Sequence, residues 1–171
     1  MSLSAASPLN PWRWLALPAL ICIGATMLFA APFRVFGLQL PEPVFAMVPT
    51  FAWAVIRPSV LAPFGVLLLG LFLDSFLGGP MGLWGLSLLA AYATVLLMRN
   101  MMSGQSRAMM WAWFAGSTGI AMLAGFFFTM LDSLAIPSLV GVLWQFLATV
   151  LLFPFADYLV DQFEDADVRF R

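Results

Sequence analysis

The sequence predicts an all-α integral membrane protein, a bundle of six transmembrane helices with both termini cytoplasmic. Three observations predict it. The 171 residues are 63% hydrophobic and only 9% charged, whereas a soluble domain carries about 25% charged residues. A chain this small cannot bury that much apolar surface within itself, so its natural solvent is a bilayer. Apolar runs of about 17–25 residues, the length of a membrane-spanning helix, recur along the chain, and the arginines divide unevenly between the loops that these runs define.

The first run covers 14–31. It is too firmly flanked to be a cleaved leader: Arg34 follows in place of a small-residue cleavage site, and further spans come after it. The second, 38–56, is the weakest. Its apolar core from Val44 is short, and Pro41, Glu42, Pro43 and Pro49 interrupt it. Prolines are tolerated in membrane helices where neighbours satisfy the freed carbonyls, so it reads as a short, kinked span. The runs 60–77, 81–98, 108–130 and 137–158 complete the set. Together they form a single polytopic domain over 1–171, ending in a short acidic tail, 159–171.

Arginine placement supports counting the weak span. With six spans, Arg13, Arg57, Arg99, Arg107, Arg169 and Arg171 share the side of both termini, and only Arg34 lies opposite. That is the bias of a cytoplasmic face, with Arg13, Arg57, Arg99 and Arg107 as its anchors. Without the second span, Arg57, Arg99 and Arg107 would move outside with Arg34. The tryptophans mostly fall near span ends, as in an interfacial belt; for Trp53 and Trp144, packing or lipid contact is an equal reading. In the tail, Leu159, Val160 and Phe163 among acids suit either a short amphipathic helix or a solvated end.

The chemical inventory excludes most functions. There is no His, no Lys and one Cys, which leaves no internal disulfide, no Cys/His metal cluster and no Ser-His-Asp, Cys-His or Ser-Lys machinery. Cys22, inside an apolar run, reads as a buried inert thiol. A net charge of −1 does not suggest nucleic acid as a partner. No cofactor is expected.

Two features stand out from the apolar background. The fifth span carries two rows of small residues at four-residue spacing: Ala108, Ala112, Gly116, and Ser117, Ala121, Gly125, Thr129. Such rows let helices approach closely in lipid, either within the bundle or against a partner's helix; Gly116, Ala121 and Gly125 are the packing candidates. The second feature is Asp74, four residues before Gly78 in "GLFLDSFLGGPMGLWGL". A charge within a span costs about 2.5–3.5 kcal/mol on insertion scales, so it must be compensated. Amides of the Gly78-Gly79-Pro80 turn, or of Met81 and Gly82 at the next helix start, are the nearest donors, which would make Asp74 a structural lock. A partner contact and a proton or ligand site are the other readings. Asp132 and Asp157, nearer span ends, read as solvated.

"FAWAVIRP" (Phe51 to Pro58), followed by "GVLLLGLFLDSFLGGPMGLWGLSLLAAY" (Gly65 to Tyr92), resembles the rod shape-determining protein MreD family. That family has an Arg-Pro turn, then a span ending G-x-x-x-D and a Gly-Gly-Pro-Leu-Gly-like turn. The pattern maps onto Gly70, Asp74, Gly78, Gly79, Pro80 and Gly82, with Met81 where Leu is common. The motif covers about a quarter of the chain; length, span layout and short tails agree. The resemblance implies a bacterial cytoplasmic (inner) membrane protein of the cell-elongation, peptidoglycan-synthesising machinery. Its implied partners are an MreC-like protein, the RodA glycosyltransferase with its transpeptidase, and the MreB cytoskeleton, besides membrane lipid. It implies no catalytic residues, and a non-enzymatic scaffold is the expected role. The family is also similar in size and helix number to the substrate-binding membrane subunits of ECF transporters, which keeps a small-ligand binder as the alternative. A membrane aspartyl enzyme would need two close carboxylates; Asp74 and Asp132 are the only pair on offer, and neither sits in a catalytic motif.

Overall fold

The computed structural model describes residues 12–29, 34–35, 38–39, 42–56, 59–133 and 137–168. They are helical almost throughout. A π-helical turn, Trp12–Ala16, leads into α1 (Leu17–Phe29). A minimal antiparallel ladder pairs β1 (Arg34–Val35) with β2 (Leu38–Gln39). The helices α2 (Met47–Ile56), α3 (Leu61–Leu77), α4 (Leu83–Met102), α5 (Arg107–Ser133), α6 (Leu139–Val150) and α7 (Phe153–Val168) follow. Three helical stretches are long and apolar enough to cross a membrane: Leu83–Met102, Arg107–Asp132 and Leu139–Gln162, the last running through the α6–α7 junction. The apolar helices Trp14–Phe29, Met47–Ile56 and Leu61–Leu77 are shorter.

Prolines position several of these starts. Pro18, Pro49, Pro63 and Pro154 each fall in the first turn of a helix, where a missing N–H breaks no bond of that helix. Two of them still free a carbonyl four residues upstream. Pro18 cannot donate to Trp14, and Trp14 O instead accepts the Trp53 indole N–H at 2.8 Å. Pro154 cannot donate to Val150, and Val150 O accepts the Trp111 indole N–H at 3.2 Å. The same exchange happens twice, and each time it ties a helix break to a neighbouring helix.

The span expected over 38–56 departs from expectation. Its helix is ten residues long, about 15 Å, half of a ~30 Å hydrocarbon layer. Yet it is the heart of the bundle: Met47, Phe51, Ala52, Trp53 and Ala54 are at most 1% exposed, and α2 packs on α3, α4 and α7. The non-helical lead-in Glu42–Val44 completes the path. Val44 N donates to Thr149 Oγ1 at 3.0 Å, and Gln145 Nε2 donates to Glu42 O at 3.2 Å. Phe146, between those two α6 residues, meets Gly119, near the middle of α5. Non-helical backbone therefore reaches about half-way into the bundle, where side chains of α6 satisfy it. This is the condition under which irregular backbone is tolerated at such depth.

The core is continuous around α2. Phe114 of α5 meets Phe51 edge-on at 5.3 Å between ring centroids, and Phe153 of α7 at 5.8 Å. Trp53 belongs to this core, whereas Trp144 is 58% exposed on α6. Trp14 is also buried, so the tryptophans do not all form a belt. The expected span 137–158 is two helices, broken at Leu151–Leu152 ahead of Pro154. The helix of the tail continues to Val168.

Candidate functional site

The α3–α4 turn is built around Asp74. α3 ends where Gly78 takes a left-handed conformation, φ 70°, which a side chain disfavours. The Gly78 and Gly79 amides both return to the backbone carbonyl of Asp74. Gly82, at φ 97°, turns the chain into α4. Asp74 itself is fully buried. Its carboxylate accepts from Gly82 N through Oδ2 at 2.8 Å and from Trp84 N through Oδ1 at 2.9 Å. These are orphan donors at the start of α4, and the helix dipole favours an anion there. One residue therefore holds both ends of the turn, by its carbonyl on one side and its carboxylate on the other. Of the expected donors, Gly82 contributes and Met81 does not; Trp84 was not foreseen. Pro80 accepts from Leu83 N at 3.2 Å, while Gly78 and Gly79 are exposed.

Below the turn, α3 and α4 touch backbone to backbone. A Cβ built on Gly70 would lie 2.3 Å from Cα of Gly85, so there is no room for a side chain between the two helices. α5 joins on the next face: Gly125 is buried, and a Cβ there would meet Ser87 Oγ at 3.4 Å and Leu83 Cδ2 at 3.7 Å.

The two small-residue rows of α5 face opposite ways. Ser117, Ala121 and Gly125 are buried. Ala108, Ala112 and Gly116 are exposed, and nothing lies within 4 Å of a Cβ at Gly116. Gly116 is thus not a packing residue within the chain.

At the opposite end of these helices lie the described arginine anchors. Arg107 reaches from α5 to α7, with Nε 3.4 Å from Asp157 and Nη2 2.7 Å from Asp161, so Asp157 is ion-paired and not simply solvated. Arg99 is half-buried in the last turn of α4. The side chain of Arg13, and Arg57, Arg169 and Arg171 altogether, lie outside the described residues. Asp132 is exposed at the end of α5.

No family model, curated protein or solved structure matches the chain.

Among the described residues no group of His, Cys, Asp or Glu is arranged to hold a metal ion. Asp74 has both oxygens engaged by backbone amides, which leaves it poorly placed to accept a proton from a substrate or to meet a second carboxylate. Sequence reasoning missed Gly85, Thr149 and Pro154, and the backbone bonds of Gln145 and Trp111. Pro154, four residues before the end of the expected span 137–158, was the one with a readable signal: proline inside a helical pattern marks a break.

Proposed function

We propose that this chain is a six-span protein of the bacterial cytoplasmic (inner) membrane, with both termini cytoplasmic, acting as a non-enzymatic scaffold of the cell-elongation complex. In this reading it bridges an MreC-like protein, the RodA glycosyltransferase with its transpeptidase, and the MreB cytoskeleton. The observation that carries the reading is the use made of the motif residues. Asp74, Gly78 and Gly82, which carry the resemblance to the MreD family, are spent on one turn whose polar groups satisfy one another. Gly70, also in the motif, lets α3 and α4 meet at their backbones. A rigid shape suits a part whose work is to hold other proteins in register. The exposed row Ala108, Ala112 and Gly116 leaves a flat helix face, the form that a partner's membrane helix packs against.

The small-ligand alternative draws on the half-depth backbone of Glu42–Val44, since broken backbone at mid-depth recurs in transporters. Here the polar groups at that depth, Gln145 and Thr149, bind the chain's own backbone, which favours the scaffold.

Two measurements test the proposal. Reporters active only in the periplasm, fused after Phe36, Gly104 and Arg171, give signal at Phe36 alone if the layout is right; signal at either other site refutes it. Depletion in the source cell, with affinity capture of the tagged chain, should cost rod shape and recover an MreC-like protein. Unchanged shape together with capture of a transporter ATPase would replace the scaffold by the ligand binder.

A further inference from the structure

The arginine end of the bundle holds a cleft of about 440 Å³, within the ~300–1,000 Å³ range of small-molecule sites. α4, the α4–α5 loop, α5 and α7 enclose it, with the last turn of α2 at its base. Its lining mixes apolar Val55, Ile56 and Val160 with charges of both signs, Arg99, Arg107, Asp157 and Asp161. These charges are not used up within the described residues. Arg99, half-buried, makes no ion pair or hydrogen bond there. Arg107 is shared by two carboxylates, with Nε 3.4 Å from Oδ2 of Asp157 and Nη2 2.7 Å from Oδ2 of Asp161, so among the described residues two anions meet one paired cation. The cleft sits where α4 ends and α5 begins, the level at which a membrane-crossing helix leaves hydrocarbon and meets lipid headgroups.

We propose that this cleft binds the headgroup of an ethanolamine phospholipid. The match is one of charge and depth. A phosphodiester anion suits the unpaired guanidinium of Arg99, whose fork of donors is made for phosphate oxygens. A primary ammonium, with three N–H donors, suits the carboxylates of Asp157 and Asp161, which share the one guanidinium of Arg107. An anionic glycerol headgroup brings hydroxyls but no cation to the two aspartates, and a choline headgroup has no N–H to donate. The inference rests on the chain lying in a bilayer and not on the scaffold role.

The test uses the full-length chain purified in mild detergent. Short-chain phosphatidylethanolamine, phosphatidylcholine and phosphatidylglycerol, and inorganic phosphate, are titrated separately, with melting temperature and retained lipid by native mass spectrometry as readouts. Phosphatidylethanolamine should bind roughly tenfold more tightly than the other three, and Arg99→Gln and Asp161→Asn should each weaken it roughly tenfold, the scale of one hydrogen bond to a charged group. Arg99→Lys, which keeps the charge, should lose less than Arg99→Gln. If Arg99→Gln does not fold, the exposed Asp161→Asn carries the decision. Equal binding of phosphatidylcholine, protection by phosphate alone, preference for phosphatidylglycerol, or unaltered binding by Asp161→Asn would each overturn the proposal. Failure of the chain to enter vesicles would instead overturn the membrane reading itself, and is seen by flotation.

Discussion

Replacing Asp74 separates the possible meanings of a buried carboxylate. Both of its oxygens accept backbone amides, Gly82 N at 2.8 Å and Trp84 N at 2.9 Å, and the side chain is fully buried. Asp74→Leu removes both acceptors and leaves two helix-start donors unpaired in a part-buried turn. At about 1–3 kcal/mol per buried unsatisfied group, the loss is about 2–6 kcal/mol. For a chain of this size that lowers the melting temperature by on the order of 10 °C. The substitution also makes α3 more apolar, so membrane insertion should not suffer. Asp74→Asn is intermediate. Its amide has one acceptor oxygen, which replaces one of the two bonds, while its NH₂ faces the other donor. The expected order of melting in detergent is parent, then Asn, then Leu, with equal amounts of all three in the membrane. A Leu variant that melts like the parent would refute the lock. Equal loss of function in both variants with unchanged melting would point instead to a proton or ligand site.

Gly70→Ala should be at least as damaging as Asp74→Leu, because its Cβ would fall 2.3 Å from Gly85 Cα and two helix backbones must separate; failure to yield a monodisperse folded protein is the expected readout. Gly125→Leu should lower the melting temperature, since Ser87 and Leu83 already crowd that position, whereas Gly116→Leu should melt like the parent and, on the scaffold reading, capture partners less well. Thr149→Val should cost about 1–3 kcal/mol by orphaning Val44 N in the core, measured as earlier thermal unfolding. Arg107→Ala should change stability by at most ~1 kcal/mol, because its side chain is 76% exposed and exposed ion pairs contribute little.

Where an apolar run is helical from end to end, the sequence showed it: the runs 60–77, 81–98 and 108–130 became α3, α4 and α5. Hydropathy reports burial from water and not backbone conformation, so it could not tell that 38–56 holds a ten-residue helix behind a non-helical lead-in. It could not show the break at Leu151–Leu152 either, since broken and continuous helices are equally apolar. The two α5 rows looked alike because both are small at the same spacing. What separates them is their rotation about the helix, and the row that faces inward is the one bearing hydroxyls, Ser117 and Thr129. Asp74 was legible as a compensated charge because its nearest donors are local. Thr149 and Gln145 were not, because their partners Val44 and Glu42 lie more than a hundred residues away.

The half-depth path of Glu42–Val44 and the two proline–tryptophan exchanges answer one physical demand. A polypeptide in an apolar setting must pair every backbone group internally, and each departure from straight helix creates groups with no local partner. In this chain the partner comes each time from another helix: Thr149 and Gln145 for the lead-in to α2, Trp53 for the start of α1, Trp111 for the α6–α7 break, and Asp74 for the start of α4. A bond made to repair a local break therefore also fixes how two helices sit together. α2 profits most, since it is too short to cross hydrocarbon alone but is tied to the start of α1 through Trp53 and to α6 through Val44. Trp53 is buried in the core and Trp111 lies exposed at its rim, so the same exchange should hold unequally. Trp53→Phe leaves Trp14 O unpaired in a dry core and should lower the melting temperature clearly, while Trp111→Phe exposes Val150 O where other donors can reach it. Equal losses for the two variants would show that the indole bonds do not carry the coupling and that ring packing alone does.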